Sequence, residues 1–496
     1  MHDCGKSDGP VVPAKLPNNA AGAVAEVVEE RGPAEGNAAS KTRAGHRAGT
    51  DASSALDRVR QIAVRDKEAR FTALLHHVDV ERLRAAYGAL NPRAATGTDG
   101  LTWRAYGEDL EGNLRDLHRR VHCGGYRARP ARRAYIPKWD GRLRPLGIAA
   151  LEDKLLQRAV VEVLNSIYEA DFRGFSYGFR PGRGPHDALD ALAAGIYNTK
   201  VNWVLDADIR DFFGSLDRSW LRRFLEHRIA DRRVLRLIGK WLGAGIIEDG
   251  VWSQTETGTA QGASASPLLA NVYLHYVFDQ WADQWRRRHA HGDVIIVRYA
   301  DDYIVGFQHH RDAQRFLADL RGRLAMFGLE LAPEKTRLIQ FGRFAAQQRQ
   351  QPGLGKPETF DFLGFKHCCS KTKNGRFMLK RITIAKRMQA KLREVREELK
   401  RRRHHPIPEQ GKWLGSVVRG HYAYYAVPGN SDSIIAFHKQ ATRHWYRSLR
   451  RRSQRSSLNW TRMSRIAALY LPPPRRMHPF PNERFDARTQ GRSPVR

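Results

Sequence analysis

The pattern of apolar and polar positions is most informative in residues 293–307, whose sequence is DVIIVRYADDYIVGF. Two apolar, β-branched runs at 294–297 and 303–305 flank a short polar turn, and this pattern predicts a tight hairpin in a buried sheet. Asp301 and Asp302 stand side by side at its tip. Because adjacent carboxylates repel, holding them on a rigid turn indicates a site for a divalent metal such as Mg²⁺. Aspartate is also a common turn former, so the pair alone leaves both interpretations open.

A second acidic strand is predicted upstream, in residues 201–211 (VNWVLDADIRD). Asp206 and Asp208 are two positions apart and therefore share one face of a strand. Carboxylates from two neighbouring strands are the arrangement that holds two metal ions for phosphoryl transfer. Between the two strands, residues 258–274 form a small-residue loop that opens into an apolar helix, and such a loop lets the backbone approach a nucleotide or a template closely.

A basic β-hairpin is predicted from the runs at 135–136 and 143–148, with an Asp-Gly turn at 140–141. Lys138 and Arg144 flank that turn. Cations on both arms of a hairpin can bind an incoming triphosphate, one as a point charge and the other as a bidentate fork. The alternative is a solvated basic hairpin without a ligand.

Past residue 371 the sequence becomes helical and strongly basic. Ile384, Met388, Leu392, Val395 and Leu399 form one apolar stripe, and the other faces are rich in Lys and Arg. Two further helices are predicted after the prolines at 406 and 408, which gives a three-helix bundle suited to following a duplex or a folded RNA.

Charge and composition point to a polyanionic partner. The 496 residues carry a formal net charge of +33, which fits phosphate contacts; a ribosomal type of bulk basicity or a membrane-surface binder are the alternatives. No apolar run is long enough for a transmembrane helix, and no signal-peptide core follows Met1. The four cysteines form no obvious disulfide framework, so we expect a reduced, cytoplasmic setting.

Three stretches, taken together and in this order, resemble the motifs of reverse transcriptases, specifically those encoded by bacterial group II introns. Asp208-Ile209 is similar to the first metal-binding box, Gln261-Gly262 with Ser266-Pro267 to the template and nucleotide loop, and Tyr299-Ala300-Asp301-Asp302 to the catalytic box. Residues 413–430 (WLGSVVRGHYAYYAVPGN) and the later LRRRSQ closely resemble the maturase-specific thumb of those proteins. The resemblance covers residues 55–496.

This resemblance implies an α+β fold: a right-hand polymerase of fingers and palm, followed by an α-helical thumb that doubles as a maturase domain. We expect a disordered basic tail at 1–53, fingers and palm at 54–370, the thumb at 371–470, and an extended Pro/Arg-rich tail at 471–496. No Cys-rich endonuclease module follows in the sequence, so we do not expect this chain to cut the second target strand itself.

The resemblance also implies roles for individual residues. Asp208 and Asp301 would bridge two Mg²⁺ ions (Mn²⁺ being a possible substitute), with Asp302 in support and Ile209 in the same metal box. Lys335 matches a position that protonates the pyrophosphate, although a surface lysine is the commoner fate of such a residue. The expected nucleotide-binding residues are Lys138, Arg144, Asp211, Phe212, Phe213 and Gln261. The expected RNA- or template-binding residues are Arg180, Arg183, Lys386, Arg387, Lys391 and Arg419.

Two of these positions carry open questions. Phe213 matches the gate that excludes a ribose 2′-hydroxyl, but a phenylalanine there could equally be ordinary core packing. The family usually has glycine where Asp211 stands and proline where Ala260 stands. An extra negative charge at Asp211, beside the triphosphate, would weaken nucleotide binding.

The expected function is RNA-directed DNA polymerisation with dNTPs on an RNA template with a DNA primer. The same protein would bind its parent group II intron RNA, assist splicing and insert the intron into target DNA by target-primed reverse transcription (retrohoming). We expect a bacterial cytoplasmic, nucleoid-associated protein with no membrane partner, and a homodimer is possible. The alternatives are an RNA-binding splicing cofactor with an idle polymerase site, and a non-intron reverse transcriptase of the defence or retron type.

Overall fold

A computed structural model of the chain describes residues 48–137, 143–248, 251–253, 258, 262–350, 353, 355–372, 374–453 and 457–489, and the side chains of 48–54 and 486–489 are left aside. Several positions singled out in the sequence lie outside these ranges. They are nearly all of the 1–53 tail, the turn at 140–141, Lys138, Ala260, Gln261 and residues 490–496.

The N-terminal part is mostly helical and packs around one long helix. Its elements are α1 (Ala48–Arg65), α2 (Val80–Gly88), α3 (Trp103–Gly107), α4 (Leu110–His122), β1 (Ala131–Pro137), β2 (Leu143–Ile148), α5 (Leu151–Asp171) and α6 (Pro185–Asn198), with a 3₁₀ turn at Leu75–His77. The long helix is α5, which contains no glycine or proline and buries the broad apolar face expected from its spacing. Helices α1 and α2 pack against it.

The basic hairpin forms as predicted. Strands β1 and β2 pair antiparallel, with Ile136 opposite Arg144. The chain continues through β3 (Trp203–Ala207), α7 (Phe212–Ser215), α8 (Arg218–Glu226), α9 (Arg232–Gly243), β4 (Ile246–Glu248) and β5 (Val251–Ser253). Strand β4 pairs with β1 and β5, which gives a four-stranded sheet in the order β2-β1-β4-β5.

A second four-stranded sheet, called here the central sheet, carries both acidic stretches. The elements that build it or cover it are α10 (Ser266–Leu274), a π-helical turn (His275–Asp279), α11 (Gln280–Arg288), β6 (Val294–Tyr299), β7 (Asp302–Phe307), α12 (His310–Ala325) and β8 (Arg337–Gln340). The order is β6-β7-β3-β8, with antiparallel neighbours throughout. Along β7, Val305 packs into one hydrophobic core and Ile304 into another. Because the sheet is buried on both faces, its strands are apolar throughout rather than alternating.

The remaining elements form a small sheet and a helical bundle with its own core. They are α13 (Ala345–Gln350), β9 (Phe360–Phe362), β10 (Phe365–Lys371), β11 (Phe377–Thr383), α14 (Ala385–Arg401), α15 (Ile407–Tyr425), α16 (Ser431–Arg450) and α17 (Trp460–Tyr470). The predicted stripe on α14 faces inward, since Leu392, Val395 and Leu399 are buried. We call α14–α17 the bundle.

The C-terminal stretch differs from the extended tail that was expected. Helix α18 (Pro481–Thr489) packs against α6, and the Nε of Arg484 lies 3.2 Å from Asp190 Oδ2. Ahead of it, the His478 ring stacks on His186 of α6 with centroids 4.1 Å apart. The stretch is held by these long-range contacts, which its Pro- and Arg-rich composition does not indicate. The chain is thus a mixed α+β protein, and no helix in its described part has both the length and the apolar character needed to cross a membrane.

Candidate active site

The adjacent aspartates sit at the tip of a two-residue hairpin turn, as the apolar pattern predicted. Tyr299 pairs with Asp302 across the end of β6 and β7, which leaves Ala300 and Asp301 as the turn. Ala300 has a φ of +57°, in the left-handed region. Strand β3 pairs with the other edge of β7, and its last pair is Ala207 with Tyr303. One step further along this register, Asp208 lies opposite Asp302, so both acidic stretches end at the same edge of the central sheet.

The electrostatics show a crowded group of carboxylates. Removal from water and then repulsion from Asp208 raise the pKa of Asp301. The pKa of Asp302 is raised by removal of its carboxylate from water and then by repulsion from the charges of Asp301, Asp208 and Asp206. Because the Asp302 side chain keeps solvent exposure, repulsion by the neighbouring carboxylates is the main cause of its raised pKa. Such a group favours a bound cation.

Lys335 supplies the cation nearest to this group. Its ammonium donates a hydrogen bond to Asp208 Oδ2, and this bond raises the pKa of Lys335 even though partial burial opposes the shift. The backbone supports the contact, since the N–H of Ala332 donates to the Asp208 carbonyl at 2.9 Å and the N–H of Lys335 donates to the Ala332 carbonyl at 3.1 Å. Lys335 is therefore built into the site rather than left on a remote surface.

The donor set fits a divalent cation by its chemistry. Three carboxylates meet at one edge, and an ammonium group already stands beside one of them. Within the described ranges, however, no three His, Cys, Asp or Glu side chains converge closely enough to hold a metal ion. The side chain of Ile209 is buried, so only its backbone carbonyl could contribute to such a site.

Two cations, Lys138 and Arg144, were expected to bind the nucleotide, and Arg144 is the one that lies within the described residues. It lies on β2, and its charge acts against the raised pKa of Asp301, which places the basic hairpin next to the acidic group. Gly262 packs against the same strand, since a Cβ there would lie 3.1 Å from the carbonyl oxygen of Gly147. The described end of the small-residue loop thus contacts the strand that carries Arg144.

The segment after Asp208 presents only some of its expected nucleotide contacts. The side chain of Phe212 is buried in the core and packs against Tyr273, with ring centroids 6.2 Å apart, so it cannot face a nucleotide. Phe213 is half-buried and Asp211 is exposed. These two side chains are the ones that a nucleotide could reach.

Arg180 and Arg183, which were expected to bind the template, are engaged by groups of the protein itself. The buried Arg180 guanidinium pairs with Glu169 at 2.8 Å and donates to the carbonyls of Arg173 and Ser176 at 2.8 and 2.7 Å. Arg183 donates to the carbonyl of Gly174 at 2.6 Å. Both side chains therefore hold their own loop together, and a template phosphate would have to displace these partners.

A buried polar network beside the Ala300–Asp301 turn was missed in the sequence. Arg298 on β6 is fully buried and pairs with Asp279 of the π-helical turn. Behind the turn, Gly178 approaches so closely that a Cβ there would lie 2.3 Å from the backbone nitrogen of Ala300. The available signal was a charged residue inside the otherwise apolar run of β6.

The bundle presents two groups of cations. Lys386, Arg387, Lys391 and Arg419 are exposed, as expected, although Lys391 pairs with Glu394 at 3.0 Å. Sequence reasoning missed a second group along a cleft between α16 and α17. Its described lining residues are Arg443, Tyr446, Arg447, Arg450, Arg451 and Trp460.

Comparison with known proteins gives a family for the segment that holds the site. Residues 136–367 match the family described as reverse transcriptase (RNA-dependent DNA polymerase). The chain is 33% identical over 240 residues to "Protein YkfC" of Escherichia coli (strain K12), covering 42% of this chain and 62% of that protein. It is 36% identical over 191 residues to "Group II intron-encoded protein LtrA" of Lactococcus lactis subsp. cremoris, covering 38% of this chain and 32% of that protein.

A shorter similarity, 28% identity over 87 residues, extends to "Nuclear intron maturase 1, mitochondrial" of Arabidopsis thaliana, covering 18% of this chain and 12% of that protein. The chain spans less than two thirds of the length of each of these curated relatives. The matched segment 136–367 contains Asp208, Asp301 and Lys335.

Proposed function

Since this chain is by family a reverse transcriptase/maturase of the group II intron type, we propose that it extends a DNA primer on an RNA template with deoxynucleoside triphosphates. The observation that carries this proposal is that Asp208, Asp301 and Asp302 lie at the same edge of the central sheet, with Lys335 and Arg144 as the nearby cations. In this proposal the central sheet is the palm, the basic hairpin belongs to the fingers, and the bundle is the thumb.

The residues have distinct roles in this reaction. Asp208 and Asp301 would hold two Mg²⁺ ions, or Mn²⁺ in their place, with Asp302 and the Ile209 carbonyl in support. When bound, such ions lower the pKa of the primer 3′-hydroxyl and stabilise the charge on the leaving pyrophosphate. Arg144 would bind the triphosphate, and Lys335 would donate a proton from its ammonium to the leaving oxygen.

Two further residues would shape the nucleotide site. Phe213 would close the ribose side of the site against a 2′-hydroxyl, because its ring packs against the edge of the core and stays partly exposed, whereas that of Phe212 is buried. Asp211 would face the triphosphate with an unfavourable charge.

We further propose that the bundle binds the group II intron RNA for splicing and for insertion into target DNA. Along α16, Arg443, Arg447 and Arg451 follow one another at four-residue spacing, which places like charges next to one another. None of the three has an acidic partner among the described residues. A polyanion would supply the missing counter-charge.

The cleft also offers an aromatic platform for a base. The ring of Trp460 stacks on Tyr446 with centroids 4.2 Å apart, and the guanidinium of Arg450 lies 5.8 Å from the Tyr446 ring centre. About half of the Trp460 side chain remains exposed, at 47%. A half-exposed, pre-stacked indole among cations is suited to an unpaired base of an RNA.

Primer extension on a poly(rA)–oligo(dT) duplex with Mg²⁺ and dTTP tests the polymerase proposal. We expect Asp301→Asn to lower the rate by about two to three orders of magnitude, because it removes one carboxylate from the acidic group. The matched control is Asp319→Asn on α12, where the new amide oxygen can still accept the Trp285 Nε1–H bond of 2.8 Å. Equal extension by wild type and Asp301→Asn would contradict the assignment.

A splicing cofactor with an idle polymerase site is the second candidate. Two observations favour it. Asp211 adds a negative charge beside the triphosphate site, and Asp208 pairs with Lys335 while no three carboxylates of the described residues lie close enough together to hold a metal ion. No extension by wild type, together with tight binding of the intron RNA, would select this candidate. Extension without preference for intron RNA would instead favour a reverse transcriptase of another type.

A further inference from the structure

Arg298 lies in the middle of an apolar strand and uses all its hydrogen-bond donors. Its Nε donates to Asp279 Oδ1 at 2.7 Å and its Nη2 to Asp279 Oδ2 at 2.6 Å, which makes a bidentate pair. Nη2 also donates to Ser176 Oγ at 2.7 Å, and Nη1 donates to Asn271 Oδ1 at 3.0 Å and to the Ala300 carbonyl at 2.8 Å. Five bonds match the five N–H groups of a guanidinium. The group is therefore fixed in one orientation.

Folding stability does not account for this pair. Arg298 and Asp279 both have side-chain exposures of 0%, and removing two charges from water is expensive. Apolar residues of similar volume at such sites are often as stable or more stable. Asp279 also ends a π-helical turn, an irregularity that is frequent at functional sites. Both facts suggest that the pair serves a purpose beyond stability.

The bonds of the pair lead to the catalytic turn. The Ala300 carbonyl that accepts from Arg298 belongs to the peptide that precedes Asp301, and Ala300 itself is left-handed. Asn271 donates to the Gly178 carbonyl at 2.7 Å, and Gly178 packs closely against the Ala300 backbone. The turn is thus held by the bond from Arg298 and by the close packing of Gly178.

We propose that Arg298 and Asp279 form a positioning pair that sets the orientation of the Ala300–Asp301 peptide and so of the Asp301 carboxylate. The inference rests on the proposed polymerase function, since it assigns the pair to the metal-binding edge of that site. The pair acts through Asp301 and contacts neither metal nor substrate.

The test replaces the pair without leaving a buried charge alone. The double variant Arg298→Met with Asp279→Leu fills the same space with apolar side chains. Arg298→Lys keeps the positive charge but cannot make the two parallel hydrogen bonds of a guanidinium. The control is Arg228→Met with Asp171→Leu, because Arg228 Nε and Asp171 Oδ2 form another largely buried pair, 3.0 Å apart, that makes no bond to the Ala300–Asp301 turn. The second cation beside Asp171, Lys67, is exposed and is not left buried without a partner. Thermal unfolding, Mn²⁺ binding by calorimetry with a 3′-deoxy primer–template, and primer extension are measured on each.

We expect the double variant to unfold within a few degrees of wild type, to bind Mn²⁺ about 10-fold more weakly and to lose about 100-fold in kcat, with a smaller change in the KM for dTTP. Arg298→Lys should show the same pattern, a large loss in kcat with a smaller change in KM. The control pair should keep both its Mn²⁺ affinity and its kcat. Unchanged Mn²⁺ affinity in folded variants, or the absence of Mn²⁺ binding in wild type, would overturn the proposal. So would variants that all fail to fold, because the role would then be structural. Weakened Mn²⁺ binding beside a wild type that extends no primer would reject the polymerase function while the positioning role stands.

Discussion

Asp211 has a backbone φ of +40°, in the left-handed region that favours glycine, where it begins helix α7. Aspartate tolerates this region better than most residues, but the conformation still costs up to about 1 kcal/mol. Its carboxylate also lies against Gly214, where an added Cβ would meet Oδ2 at 2.2 Å. The glycine that the family resemblance places at 211 therefore has a conformational reason as well as an electrostatic one.

Replacing Asp211 should separate these two effects. Asp211→Gly relieves the left-handed strain and removes the negative charge, so we expect a KM for dTTP several-fold lower and stability higher by about 1 kcal/mol at most. Asp211→Asn removes only the charge and should lower the KM without the gain in stability. Steady-state primer extension and thermal unfolding measure the two effects. If neither substitution changes the KM, the carboxylate does not face the triphosphate.

At the scale of elements, Asp153 connects α5 to the segment that leads into β1. Its buried carboxylate accepts a hydrogen bond from the Tyr126 hydroxyl and another, at 3.0 Å, from the backbone N–H of Arg129. Burial raises the pKa of Asp153 to about 6. Because the ordinary value is 3.8, the folded protein holds this proton more tightly than the unfolded chain does. This group therefore costs stability as pH rises from about 4 to about 6, and the cost remains above that range.

Asp153→Asn should remove that dependence, since an amide does not titrate and still offers one acceptor. We expect the difference in unfolding free energy, variant minus wild type, to rise by up to about 3 kcal/mol between pH 4 and pH 7. Urea unfolding at a series of pH values measures it. As a control, the carboxylate of Asp116 is exposed and paired with two arginines, which lower its pKa below 3.8. Asp116→Asn should therefore leave the difference nearly flat between pH 4 and pH 7 and give a slope of the opposite sign only below about pH 4. A flat difference for Asp153→Asn would mean that burial does not shift this group.

The elements that sequence predicted best are those whose pattern depends on local periodicity. The β6–β7 hairpin and the stripe on α14 follow from spacing alone, because burial on one or both faces dictates which positions are apolar. The pairing of Arg180 was not predicted because its partner, Glu169, sits on the preceding helix, and an unpaired arginine cannot be told from a paired one in sequence. Helix α18 depends on Asp190, nearly three hundred residues away. Contacts of this range have no local signal.

The acidic residues of the candidate site were predictable from the sequence, but the residues that position them were not. Asp208 and Asp301 were predicted from the pattern of their strands and Lys335 from the family resemblance, and Lys335 bonds to Asp208 in the structure. Arg298 was visible as a charge in an apolar run, but its role depends on Asp279, which belongs to a helical turn outside the sheet. Chemistry-bearing residues are recognisable by type, whereas the residues that orient them are recognisable only by contact.

At the scale of the whole molecule, the net charge of +33 is distributed so that the bundle carries a basic, aromatic cleft of its own. We expect Trp460→Ala to weaken binding of the intron RNA by about 1–3 kcal/mol without changing its salt dependence, because stacking is not ionic. Arg447→Glu should weaken binding and lower the slope of log K against log salt by about 1 or more. Filter binding at several salt concentrations distinguishes the two.

The control for this surface is Arg315→Glu on α12, an exposed arginine of the same type outside the bundle. It should leave both affinity and slope nearly unchanged. Equal losses for Arg447→Glu and Arg315→Glu, with no loss for Trp460→Ala, would show that the RNA responds only to total charge and that the cleft has no special role.

Helix α18 gives the bundle a second attachment to the body of the protein. The chain leaves the body at β11 to form the bundle and comes back through His478 and Arg484, and Asp190 binds Arg381 at the departure and Arg484 at the return. A domain joined to the rest of a protein by one linker can swing freely, whereas the two contacts with Asp190 limit that motion here. The orientation of the bundle is therefore set largely before any partner binds it.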